Sequence, residues 1–392
     1  MLIKNIISKL EYHMRANDFK GYDPYDALNS PILRTLTFNN RFLGIIYLQL
    51  VKKCPVNLRP VLLVKKGINP KGFGLLISAY VGKYKLSGNN TDLEEAKSFA
   101  EWLIQNYSKG YSGYCWGYNF DWPNRNSFYK KGLPTIVNTS FIANGFLDLY
   151  DISKDKKYLE AAESCCQFMI NDLNKYEEND SFCFSYTPVD NNARIHNANM
   201  LGSALLARVN HYVSHKDYLE FAIKSMKFSI NHQNEDGSWY YGVGWKQKWI
   251  DSFHTGYNLL ALNDFIKYAS YDEYYQNLIR GYEFYVSNFF TEDGLVKYYN
   301  NKLYPLDCHA FAHAIITLSS LGGLSAGSKQ ILEGVVKKAV KIFWNEDSGC
   351  FYYQKRKFWT NKISYLRWSQ TWMFFGLSCL MYFGKKHGCS FD

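Results

Sequence analysis

The sequence predicts an all-α fold: about six helical hairpins closed into a ring, with short β-hairpin turns between them. Three observations predict it. An acidic turn followed by aromatics recurs along the chain. It appears as Glu178-Asn179-Asp180-Ser181 before Phe182 and Tyr186, and as Gln233-Asn234-Glu235-Asp236-Gly237-Ser238-Trp239. It returns as Thr291-Glu292-Asp293-Gly294 before Tyr298-Tyr299, and as Asn345-Glu346-Asp347-Ser348-Gly349 before Phe351-Tyr352-Tyr353. The aspartates stand 56 (180 to 236), 57 (236 to 293) and 54 (293 to 347) residues apart, and a fixed period marks a repeat architecture. Two kinds of helix also alternate, one amphipathic and one apolar nearly all round; the second kind must be buried on every side. Finally, about six such periods fit between Ile68 and the C-terminus. A closed double-walled ring buries both kinds of helix, whereas an open superhelix of stacked pairs would show a shorter unit and polar end caps.

In chain order, residues 1–20 form an amphipathic helix with Leu2, Ile6, Leu10 and Met14 on one side. The loop Gly21-Tyr22-Asp23-Pro24-Tyr25-Asp26-Ala27-Leu28-Asn29-Ser30-Pro31 is rich in turn formers, and is either a connector or a flap over a cavity. An apolar helix from Leu33 to Val51, a break at Pro55–Pro60 and a segment ending at Gly67–Gly72 lead to a buried helix from Leu75 to Tyr84. Residues 1–67 therefore read as an N-terminal extension with a flap, and 68–392 as the ring on which it packs. Thr91, with Glu94 three residues on, resembles a capping box at the start of the next helix. The outer helices share the opening of Tyr158-Leu159-Glu160 and Tyr218-Leu219-Glu220, with relatives at Tyr274 and Ile331-Leu332-Glu333. Inner helices begin near Asn138, His196, Phe253, Asp307 and Gln370.

The composition narrows the class. With 47% hydrophobic and 18% aromatic residues, the chain can bury a large core, so disorder is excluded. Lys and Arg number 45 against 35 Asp and Glu, a net charge of +10 that favours an anionic partner by long-range steering. No basic arm or nucleic-acid module is present, so no nucleic-acid partner is expected. The nine cysteines show no paired spacing, the usage of a reducing compartment. Met1 to Met14 is interrupted by charges, unlike a signal peptide. The run Thr371 to Phe383 is too short for a bilayer, which takes roughly 17–25 residues. A cytoplasmic protein without a membrane span is expected, and no cofactor or metal is called for.

The repeated unit resembles the (α/α)6-type toroid of six-hairpin glycosidases, polysaccharide lyases and sugar epimerases. The resemblance is architectural, covers Ile68 to the C-terminus, and implies a carbohydrate-active enzyme. Gln233…Gly237-Ser238-Trp239 is also similar to the glutamine–tryptophan repeat of terpenoid cyclases, where it ties a turn to a helix. The aspartate motif of those enzymes is missing, and no Asp-Asp pair occurs in the chain.

In such a ring the loops entering the inner helices meet at one mouth. Counting from the aspartate of each turn, His196 falls 16 residues on (from 180), His254 18 (from 236) and His309 16 (from 293). Asn138 falls 17 beyond Asp121, and Arg367 20 beyond Asp347. The expected rim is Asn138, His196, His254, His309 and Arg367, with Arg194, Asn197, Asp251 and Asp307 beside them. Polar residues also gather at helix N-termini simply as caps. For glycoside hydrolysis two carboxylates flank the scissile bond, and Asp251 and Asp307, each just ahead of a histidine, are the natural pair. Lyase or epimerase chemistry would centre on His196/Asn197 or His254/Tyr257, with Arg194 and Arg367 neutralising a carboxylate. The aromatic run from Tyr114 to Trp122, including Trp116, Asp121 and Trp122 with Arg125 near by, suits the apolar faces of a sugar; Tyr241 and Trp372 join it. The substrate expected is an acidic oligosaccharide or polysaccharide unit, the alternative a non-catalytic toroid that holds a glycan or a protein. His309 and His313 share a helical face, but Ala310 stands where a zinc-protease helix has glutamate.

Overall fold

The structure is a computed structural model that describes residues 2–38, 40–124, 127–190 and 192–387. Fourteen α-helices occur among these residues. Three come first: α1 (Leu2–Arg15), α2 (Pro31–Leu36) and α3 (Arg41–Lys53). Five hairpins follow: α4–α5 (Pro70–Ser87, Asn90–Gln105), α6–α7 (Ile136–Ser153, Lys156–Asp172), α8–α9 (His196–Val213, Lys216–Asn231), α10–α11 (Ser252–Ala269, Tyr275–Asn288) and α12–α13 (Cys308–Leu321, Ser328–Phe343). The last helix is α14 (Trp372–His387).

Burial divides these helices into two layers. Along α12, 13 of 14 residues are buried, whereas α13 buries 6 of 16, at positions 328, 332, 335, 336, 339 and 343. The first pattern belongs inside; the second is a single stripe at helical spacing. Each of α4, α6, α8, α10 and α12 packs on the next, and α14 packs on both α12 and α4. The inner ring is therefore closed, an (α/α)6 toroid. In the outer layer the sixth place is taken by α1, whose Ile3, Ile6, Ile7, Leu10 and Met14 join the common core beside α14. Residues 22–64 instead lie across the ring with a small core of their own, built from Ala27, Leu28, Leu33, Leu48 and Val51.

The recurring turns lock neighbouring hairpins together. Gly237 and Gly294 have φ of 87° and 85°, where glycine is at no disadvantage. A Cβ on Gly237 would strike the Arg280 carbonyl on α11, and one on Gly294 the backbone of Gly334 on α13. In the first copy the left-handed residue is Asn179, two places earlier relative to the aspartate. Gln233 donates to the carbonyls of Gly237 and Asn277, each at 2.9 Å, and Trp239 Nε1 donates to the Ser229 carbonyl at 2.8 Å. The glutamine–tryptophan element thus ties a turn to two helices. Short antiparallel pairs follow some outer helices, such as Lys175–Glu178 with Ser181–Phe184. One cap differs from expectation: α5 is capped by Asn89, which accepts from Thr91 N at 3.0 Å, because an asparagine two residues earlier reaches the free N–H groups first.

Among the described residues no helix is long and apolar enough to cross a membrane.

Candidate active site

One register organises the mouth of the ring. Each inner helix starts from an extended residue: Asn69, Thr135, Ile195, Asp251 and Asp307, and, ahead of the π-helical turn Leu366–Thr371 that leads into α14, Tyr365. Four of these cap the helix through their side chains; Ile195 and Tyr365 do not. The second residue after each is Lys71, Val137, Asn197, Phe253, His309 and Arg367. All six line one central cavity of about 210 Å³. The helical rotation of about 100° per residue therefore aims the same position inward from every repeat, once the count begins at the cap.

Aromatic rings fill much of the remaining wall, among them Tyr25, Tyr118, Trp122, Tyr241, Tyr298 and Trp368. The polar groups gather on α10 and α12. His254 Nδ1 lies 2.7 Å from Asp251 Oδ2, while Oδ1 of the same carboxylate caps the helix by accepting from His254 N at 3.0 Å. Trp249 Nε1 also donates to Oδ2, at 3.1 Å. With Nδ1 donating to the carboxylate, the lone pair of His254 sits on Nε2, which makes no hydrogen bond among the described residues; the side chain is 23% exposed. One turn along α10, the Tyr257 hydroxyl lies 2.8 Å from His309 Nε2. His309 is sandwiched between Phe253 and Trp372, with ring centroids 4.7 Å away on each side. Burial holds its pKa well below the ordinary histidine value, so it is neutral. Burial likewise raises the Tyr257 phenol well above its usual value.

The flap closes over this cavity. Arg367 donates to both oxygens of Asp23, at 2.7 and 2.9 Å. Arg59 donates to Asp26 at 2.5 Å and to the Asp23 carbonyl at 2.8 Å. Both pairs are buried, so the loop is pinned by charges that have lost their water. Burial pushes the Asp26 carboxyl up to about 6 despite Arg59. Tyr25, held by Lys52 at 2.6 Å, projects from the loop into the cavity wall. The loop expected as connector or flap thus contributes a ring to the cavity wall.

The residues singled out in the sequence separate into groups. His254, His309, Asp251, Tyr257, Asn197, Tyr241, Trp122 and Arg367 line the cavity. Trp372 lies directly behind it, stacked on His309 and Tyr257. The expectation of three matched histidines in one hollow is corrected: His196 turns away, toward α9, with Nδ1 3.3 Å from Ser229 Oγ and its ring beside His232. Counted from the cap, the three histidines sit at the first, third and second helical residues, so they face three directions. Asp307 does not line the cavity; Trp368 Nε1 and His309 N donate to one oxygen and Gln354 to the other. Arg194 is paired with Glu178 at 2.7 Å. Asn138 is buried, and among the described residues neither of its side-chain polar atoms has a partner. Trp116 and Asp121 line a separate outer groove of about 1580 Å³, which carries six lysines and Arg34 against Asp121 alone. Arg125 lies outside the described residues. The sequence reading missed Lys71 and Asp23. The Asn-Pro pair at 69–70, a cap followed by proline at the first helical position, was the available signal for Lys71.

Comparison with known proteins bears on the fold. No family description matches the sequence, and no curated protein matches it. Solved structures do. Cellobiose 2-epimerase from Bacillus thermoamylovorans superposes with a TM-score of 0.64 at 10% identity, covering 81% of this chain and 88% of that one. A GH76 α-mannanase from Bacteroides thetaiotaomicron gives 0.62 at 12% identity, covering 81% and 87%. An unsaturated glucuronyl hydrolase specific for heparin gives 0.60 at 13%, covering 84% and 90%. At such identities the likeness establishes the toroid, and chemistry must be argued from the site.

Proposed function

We propose that the protein is a sugar-processing enzyme that moves a proton beside a carbonyl, in the manner of an epimerase or isomerase. The observation that carries this reading is the pairing, on one wall, of the Asp251–His254 dyad with the Tyr257–His309 pair. His254 Nε2 would take the proton from the carbon next to the carbonyl, and the C–H electrons would become the C=C bond of an enediol. The carbonyl oxygen would receive its proton from the Tyr257 phenol, backed by His309. Return of a proton to the same carbon from the other face inverts it; return to the neighbouring carbon isomerises the sugar. Each residue acts by ordinary acid–base catalysis, worth typically 10²–10⁴-fold.

Two further features support a small sugar. The cavity, about 210 Å³, falls below the roughly 300 Å³ at which drug-sized sites begin, which suits one unit better than a polymer. Aromatic faces with Asn197 and Arg367 between them match the apolar faces and hydroxyls of such a ring. A two-carboxylate hydrolase is less well served, since Asp251 alone of the expected pair meets the cavity and all of Asp307's donors are internal. The outer cationic groove keeps an anionic form of the sugar open as substrate.

The test is exchange of carbon-bound hydrogen in D₂O, followed by NMR across a panel of reducing sugars that includes uronic acids. Exchange at the carbon beside the carbonyl is expected for at least one sugar. Release of reducing ends from oligosaccharides without exchange would replace this reading with hydrolysis. Binding with neither activity would make the ring a glycan-holding scaffold.

A further inference from the structure

Lys71 has no role in the chemistry above, yet it occupies the inward position of α4. Its backbone is fixed by Pro70 at the first helical place and by Asn69, which accepts from Lys71 N at 3.1 Å. The side chain is 3% exposed and its amine reaches the cavity wall. Around Nζ lie the rings of Phe141 at 4.2 Å and of Tyr257 and Trp372 at 5.3 Å each. Among the described residues no carboxylate comes within ion-pairing distance of it. The nearest acid that influences it, Asp23, has both oxygens committed to Arg367. A buried lysine without a carboxylate is unusual, because burial of the charged form is costly.

We propose that the amine of Lys71 captures carbonyl compounds, forming an imine with the aldehyde of an open-chain sugar or short polyhydroxy aldehyde that enters the cavity. Burial first, and the neighbouring charge of Arg367 second, hold its pKa well below the usual lysine value, with Asp23 opposing. The free amine that results is the nucleophilic form. Its nitrogen lone pair attacks the carbonyl carbon, and the C=O π electrons pass to oxygen, which takes one proton from nitrogen. The carbinolamine then loses that oxygen as water together with the second nitrogen proton. A C=O and an amine become a C=N and water, with no oxidant or reductant required. Tyr257, which lies beside the amine and carries a hydroxyl backed by His309, is placed to relay these protons. Once protonated, the C=N draws electrons from the adjacent C–H bond and loss of that proton gives an enamine in place of the enediol, so this step deepens the proton-transfer reading and rests on it for its purpose; the capture itself does not.

The experiment treats the full chain at pH 7 with glyceraldehyde, or with D-mannose, in the presence of sodium cyanoborohydride, which supplies the hydride that reduces C=N to a stable secondary amine. Peptide mass mapping should place the adduct on Lys71 at least about 10-fold above any other lysine, because an ordinary lysine is almost wholly protonated at this pH. Lys71→Met, of similar length, should abolish that adduct while leaving the background on surface lysines. Mapping within the wild type, Lys71 against its own surface lysines, decides the matter even if the methionine variant fails to fold. Adducts scattered evenly, with Lys71 unmodified, would overturn the proposal. D₂O exchange without a Lys71 adduct would sink the imine and leave the proton-transfer reading standing. An adduct without exchange would do the reverse.

Discussion

Helices α6 and α8 on one side of the ring, and α10 and α12 on the other, start from equivalent places and end up with different chemistry. At the second residue after the cap, α6 presents Val137 and α8 presents Asn197, while α10 presents Phe253 and α12 presents His309. One residue later the contrast is sharper. Asn138 on α6 is sealed without a partner, and His254 on α10 faces the cavity with an aspartate behind it. The cap explains much of the difference. Thr135 spends its one hydroxyl on Asn138 N at 3.0 Å, whereas Asp251 has two oxygens and can cap the helix with one and orient an imidazole with the other. A carboxylate cap can hold a helix and an imidazole at once, which is what the proposed function asks of Asp251.

The largest expected effect breaks the reactive half. His254→Asn should lower the rate of sugar hydrogen exchange by about 10²–10⁴-fold. Asp251→Asn should lower it in the same direction while the helix still forms, since Asn is as good a cap as Asp. On the other half, His196→Asn should leave the exchange rate within about threefold, a contrast smaller than any acid–base contribution. Exchange rates measured by NMR on all three variants check the comparison. Equal losses from His254 and His196 would mean that the cap register does not select the reacting side chain.

Next in size is the flap that covers both halves. Asp23→Ala leaves the Arg367 guanidinium buried without its partner, and should cost about 3–5 kcal/mol in urea unfolding. Adding Arg367→Met to that variant should recover part of the loss, because the unpaired charge is then gone. A double variant no better than the single one would show that Asp23 acts through its loop and not through the ion pair.

Acid stability sets buried histidines against buried carboxyls. Burial lowers His196 to about 3, and holds His309 and His313 well below 6.5. The folded chain therefore binds fewer protons than the unfolded one, so the stability from these groups is complete above pH 6.5 and is lost as pH falls from there toward 3. Asp26, raised to about 6, runs the other way between its ordinary value and 6, and so do Asp190, Asp264 and Asp307, which burial also raises. Single variants isolate the histidine share of the Tm slope between pH 6.5 and pH 4. His196→Gln should flatten that slope, by up to about 1.4 kcal/mol per pH unit for a fully depressed group. An unchanged slope would relocate the acid sensitivity to the α12 histidines.

The ring itself was legible in the sequence because its signals are local: the repeating Asp-Gly turn, and the charge-free middles of helices such as α12. The placement of the histidines was not. Counting from the turn carries the variable length of each hairpin into the answer, and one residue of error rotates a side chain by about 100°. Asp251 and Asp307 could have anchored the count, and so could Asn69, which would have exposed Lys71. Ile195 and Tyr365 carry no capping side chain, so at α8 and α14 nothing in the sequence marks the start. The Asp23–Arg367 pair joins the first loop to the last helix, and periodicity holds no information about such a contact. The same is true of α1, whose apolar stripe was readable although its place beside α14 was not.

The smallest effect lies at Asn138, the silent counterpart of His254. Its side-chain oxygen and nitrogen are both buried without partners, so it carries the desolvation cost of a polar group and none of the return. Asn138→Leu keeps nearly the same shape and removes that cost. It should change stability by no more than about 1 kcal/mol, in the stabilising direction, since replacing unsatisfied polar groups with apolar ones of like shape is near neutral or better. Hydrogen exchange on the sugar should not change at all. Urea unfolding and NMR exchange on this one variant test both halves of the statement. A loss of exchange with stability intact would mean that Asn138 reaches the ligand when the flap opens, and would extend the reacting wall from α10 and α12 round to α6.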